Sequence, residues 1–140
     1  MNPGIAITIK PKAINFMYEL ERELNAHNKN EDTLELFKAI LHAIRDKLCN
    51  KDAMLLLSGL PPYLKPIFWE GWKPSQGSVI KENFIELVTK YSRAQGKGFM
   101  NEKEIEANVK KVFSSIENKL SPEKRQAIKA CIPSEIKIYL

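Results

Sequence analysis

The chain has 140 residues, 44% apolar and 28% charged, with a formal net charge of +5. These values exclude an intrinsically disordered chain, and they make a metal or disulfide staple unnecessary, because a core of ordinary size can be buried. No run approaches the roughly 18 apolar residues of a membrane span, and residues 1–12 lack a basic segment ahead of a long apolar one, so a cytoplasmic protein without a membrane partner is expected.

In chain order, residues 1–10 read as an extended arm in which Ile5-Ala6-Ile7-Thr8-Ile9 alternates as a strand does. Two placements stay open for it, against the body or in a dimer contact. Pro11 to about His27 reads as a helix with Ala13, Phe16, Met17, Leu20 and Leu24 on one face. A second helix is expected from about Glu31 to Leu48, and a shorter third from Asn50-Lys51-Asp52 that breaks at Pro61 before a short apolar segment. Beyond a proline-rich junction, Val79 to about Gln95 carries Ile80, Phe84, Leu87, Val88 and Tyr91 at helical spacing. Gln95-Gly96-Lys97-Gly98 then reads as a helix C-cap and loop, since it lacks the GxxxxGK[ST] order of a phosphate cradle. Glu102 to Leu120 has the cleanest stripe, Ile105, Val109, Val112, Phe113, Ile116 and Leu120, behind a capping box of Asn101 and Glu104. Ser121 is the cap of the last main helix, with Pro122 at its first position, and Pro133 breaks it before another apolar segment.

Self-similarity organises these elements. At an offset of 72, Leu36 to Phe68 falls on Asn108 to Leu140. Lys38, Ile44, Lys47, Leu48 and Pro61 meet identical residues there, and Phe37, Ile40, Leu41, Leu56, Leu60 and Leu64 meet Val109, Val112, Phe113, Ile128, Ile132 and Ile136. Further upstream the offset is 68, which sets Asn15-Phe16-Met17 on Asn83-Phe84-Ile85 and Leu20 on Val88. The expected fold is all-α: one compact helical bundle from two tandem three-helix repeats, 11–70 and 79–140, joined at 71–78, with pseudo-two-fold or short-solenoid character.

The run Leu41-His42-Ala43-Ile44-Arg45-Asp46-Lys47-Leu48, then Leu60-Pro61, then Phe68-Trp69-Glu70-Gly71-Trp72-Lys73-Pro74, resembles the bacterial family known as domain of unknown function 2267. The resemblance covers nearly the whole chain, and Glu70-Gly71-Trp72 with Pro74 is its most specific feature. It implies an all-helical intracellular protein and supplies no activity, ligand or catalytic residue.

Candidate chemistry is sparse. The two cysteines, Cys49 and Cys131, match no metal or redox spacing and are expected as buried or partly buried thiols. His27 reads as a solvated residue at a helix end, His42 as bordering the core, and a Cys49/His42 nucleophile pair would have to span two helical turns. Glu19, Glu23 and His27 are the nearest approach to a metal set and read better as a solvated face. No enzyme activity, cofactor or metal is expected. The junction holds both tryptophans and has two readings: Phe68, Trp69 and Trp72 cover the ends of the repeats, or Phe68, Trp69, Glu70, Trp72 and Lys73 form an anchor for a protein partner. Residues 1–70 hold 9 basic and 9 acidic residues and residues 71–140 hold 13 and 8. The alternative function is therefore nucleic-acid binding through Lys90, Arg93 and Lys97, with Lys103, Lys110 and Lys111 nearby. The leading expectation is a non-enzymatic helical module acting through protein contacts, its partner unidentified.

Overall fold

A computed structural model describes residues 11–24, 30–73, 80–94 and 101–140. The Ile5 to Ile9 arm, His27 and the Gln95 to Gly98 loop, Lys97 included, lie outside them. Among the described residues the fold is all-helical: α1 Pro11–Glu23, α2 Asn30–Lys47, α3 Asn50–Gly59, α4 Lys65–Trp69, α5 Phe84–Ala94, α6 Glu102–Glu117, α7 Pro122–Cys131 and α8 Ser134–Lys137. None of these helices is long and apolar enough to cross a membrane.

The apolar stripes become the core. Ala13, Phe16, Met17, Leu20 and Leu24 are buried, as are all six stripe residues of the Ile105 to Leu120 segment. The six apolar pairs named at the 72-residue offset, and Phe16/Phe84, Met17/Ile85 and Leu20/Val88 at the 68-residue offset, are buried on both sides. The packing pairs are α1 with α2, α1 with α6, α2 with α4, α2 with α5, α3 with α4, α3 with α7 and α5 with α6. Helix α2 is central, since α1, α4 and α5 all pack against it. At the α3/α7 crossing, a methyl group added at Gly59 would stand 3.2 Å from Ile128 Cδ1, so the small residue is what permits this approach.

Local signals set the helix starts. Asn101 Oδ1 accepts from Glu104 N at 2.9 Å while Glu104 Oε1 accepts from Asn101 N at 3.1 Å, the reciprocal box expected there. Ser121 Oγ accepts from Lys124 N at 3.3 Å ahead of Pro122. The helix expected from Val79 instead begins at Phe84, five residues later. A second box explains this: Glu86 N donates to Asn83 Oδ1 at 2.9 Å and Asn83 N to Glu86 Oε1 at 3.1 Å. Upstream of it, the carbonyls of Ile80 and Glu82 are engaged by Lys47 instead of by helical amides. Helix α1 ends at Glu23, short of the expected His27. Both short apolar segments behind the prolines, α4 and α8, are helical.

Candidate functional site

Helix α4 has only five residues, too few to persist alone, because nucleating one turn fixes several residues for a single hydrogen bond. The carbonyls toward its end need partners beyond the helix. Pro66 O accepts from Glu70 N at 3.1 Å and Trp69 O from Trp72 N at 2.9 Å. Ile67 O, Phe68 O and the O of the C-cap residue Glu70 are met by side chains from the last turns of α2. Ile67 O accepts from His42 Nε2 at 2.8 Å, and Arg45 Nη1 donates to both Phe68 O and Glu70 O at 2.9 Å. Gly71 follows with φ of 66°, a left-handed turn that a side chain would strain.

Arg45 is in turn held by its neighbour. Its Nε donates to Asp46 Oδ1 at 2.8 Å and its Nη2 to Asp46 Oδ2 at 3.4 Å. Tyr91 Oη on α5 donates to the same Oδ2 at 2.6 Å. Burial, then the bond to Asp46, pushes the Tyr91 hydroxyl well above its ordinary pKa, so it stays a donor. One position on, Lys47 Nζ bonds Glu82 O at 2.8 Å and pairs with Glu135 at 3.0 Å. Three consecutive charged residues thus tie α2 to the junction, to α5 and to α8. Arg45 is 6% exposed, and an ion pair with one partner so deeply buried is costly to break by removing the other. Burial is also the largest influence on His42 and holds its imidazole below the ordinary range, with Arg45 adding to the effect and the Ile67 carbonyl opposing it. The neutral ring therefore carries its proton on Nε2, facing a carbonyl that can only accept.

This frame sorts the junction residues expected to meet a partner. Phe68 is fully buried and must be withdrawn from that set, because α4 turns it inward against the core. Trp72 is half-buried and stands edge-on to Phe68, ring centres 6.2 Å apart. Trp69, 48% exposed, points outward. Glu70 is exposed and pairs with Lys38 at 3.3 Å, and Lys73 is exposed. Beside them an open cavity of about 260 Å³ is lined by Arg45, Asp46, Asn50, Trp72 and Lys73 among others.

The other candidates are scattered. Lys90 pairs with Glu82 at 3.0 Å, which cancels its charge locally, and Arg93 is exposed one turn on. Glu19 pairs with Lys119, and Glu23 accepts from Ser115. Among the described residues no group of three or more His, Cys, Asp or Glu side chains is placed to hold a metal ion. Cys131 is half-buried as expected, whereas Cys49 is exposed, because it occupies the N-cap of α3 outside the core. Arg45 and Asp46, which build the site, were not among the residues singled out on sequence. The signal available was the charged triplet Arg45-Asp46-Lys47 closing an otherwise apolar helix face.

A comparison with curated proteins returns no match. A family model does match, over residues 15–138, and that span contains every residue of the clamp and the junction. The chain belongs to the family described as Uncharacterized conserved protein (DUF2267).

Proposed function

We propose that this protein is a non-enzymatic interaction module that docks a protein partner through the junction, with Trp69 as the anchor. The observation that carries the reading is a large aromatic, about half exposed, on a helix rigidified by Arg45 and His42. Pre-organised aromatic anchors of this kind dominate interface energetics. Trp72 and Lys73 follow the anchor along the chain, and the buried Phe68 backs Trp72. The site belongs to a body read as a tandem duplication, 11–70 and 79–140 about the 71–78 junction, with the paired burial of offset positions in support. The same reading assigns the protein to the bacterial cytoplasm.

The test is a pull-down with tagged wild-type protein and a Trp69→Ala variant from a bacterium that encodes this chain, with and without nuclease. A protein captured by the wild type, resistant to nuclease and lost with Trp69→Ala supports the reading, provided circular dichroism shows the variant folded. Recovery of nucleic acid, or of proteins indifferent to Trp69, rejects it. Nucleic acid as the main product would turn attention to Arg93 and Lys97, since Lys90 is already paired.

A further inference from the structure

The cavity beside the junction has an unusual wall. Arginine carries five N–H groups. Four of those on Arg45 are spent, on Asp46 Oδ1 and Oδ2, Phe68 O and Glu70 O. The fifth, on Nη2, has no acceptor among the described residues. A cationic donor that is buried yet unmet is costly, and Arg45 is 94% removed from solvent by its 6% exposure. Arg45 is part of the lining of this cavity, which is open to an acceptor from outside.

The local charge favours an anion. Lys73 lies on the same wall, exposed, with no ion-pair partner among the described residues. The one carboxylate of the wall, Asp46, is already occupied on Oδ1 by Arg45 and on Oδ2 by Tyr91 at 2.6 Å. At about 260 Å³ the space falls just below the roughly 300 Å³ at which drug-sized ligand sites begin.

We infer that this cavity binds a small oxyanion, a phosphate or a carboxylate, between the Arg45 guanidinium and Lys73. The site does not depend on a protein partner at Trp69.

The experiment is a titration of the ¹⁵N-labelled full chain at neutral pH with inorganic phosphate, with sodium acetate, and with sodium chloride at matched ionic strength. The Trp72 indole N–H and the Gly71 amide are followed by NMR. Saturable shifts at these two positions are expected, with a Kd of about 1–10 mM. Lys73→Ala should weaken binding at least about fivefold, roughly 1 kcal/mol, whereas the remote Lys103→Ala and the anchor variant Trp69→Ala leave it unchanged. Tighter binding of phosphate or of acetate tells which oxyanion the site prefers. Shifts that fail to saturate, that chloride reproduces, or that ignore Lys73→Ala overturn the inference. The Trp69→Ala arm keeps this result separate from the pull-down, so either can fail alone.

Discussion

The two halves of the chain finish their long helices in different ways. At the 72-residue offset, His42, Arg45 and Asp46 stand against Ser114, Glu117 and Asn118. In the first half His42 and Arg45 reach out to the carbonyls of a short helix and its cap, and Asp46 holds Arg45. In the second, Glu117 pairs with Lys129 at 3.5 Å, and Ser114 and Asn118 face solvent. The short helix α8 is finished instead by local backbone bonds and by Tyr139, whose ring lies 5.9 Å from that of Phe84. The lesson concerns what each end must do. The first must hold a chain that leaves one half for the other, so directional polar bonds fix its path. At the second, Tyr139 covers apolar surface beside Phe84, which non-directional packing does well.

The sharpest way to break this comparison is Arg45→Met. It leaves two carbonyls and the half-buried Asp46 without their cation, and should cost about 3–5 kcal/mol in urea unfolding. The matching change Glu117→Met should cost less than about 1 kcal/mol, as partly exposed pairs do. Equal losses would show that the halves are stabilised alike.

His42→Leu comes next, at about 1–3 kcal/mol, because Ile67 O loses its donor. This residue also sets an acid dependence. Its folded pKa lies below the ordinary value, so the unfolded chain binds the proton more readily. Stability from this group is therefore complete above about pH 6.5 and declines as pH falls toward the folded value. Arg45 opposes protonation of the ring, while Glu70 and Asp46 favour it. Urea midpoints of wild type and His42→Leu measured from pH 7.5 to 5, roughly one unit either side of that value, should converge as the pH drops. Parallel curves would remove His42 as the cause.

Two smaller changes sharpen the comparison by making the first half more like the second. Thr33 is fully buried with an unpartnered hydroxyl, and it stands against Ile105 in the other half. Thr33→Val keeps the shape and should gain about 1 kcal/mol. Cys49 caps α3 with no side-chain bond, where Ser121 caps α7. Cys49→Ser should gain about 0.5–1 kcal/mol and Ser121→Ala lose a similar amount. A Cys49→Ser midpoint at or below wild type would mean that the α3 start does not use a side-chain cap.

What could be read in the sequence follows the strength of each physical signal. The stripe from Ile105 to Leu120 repeats long enough to fix a helix and its buried face, and Asn101 with Glu104 marks its start. Asn83 with Glu86 carries the same signature for α5, but the apolar Val79 and Ile80 ahead of it share the helical spacing and mask the boundary. Within the junction, Phe68 and Trp69 are adjacent aromatics of equal promise. Only the phase of a five-residue helix, fixed by a donor 23 residues upstream, turns one inward and the other outward. Arg45 bonds to backbone carbonyls, and a carbonyl leaves no mark in a sequence. That is why the clamp stayed hidden while the residues it holds stood out.

The placement of the tryptophans has an optical consequence. Both indoles of the chain fall at positions 69 and 72, one about half exposed and one leaning on Phe68. Intrinsic tryptophan emission therefore reports on a single spot, the exit from α4, and on nothing in the far helices. Followed alongside far-ultraviolet circular dichroism, it would tell whether the crossing loosens before the bundle melts or together with it.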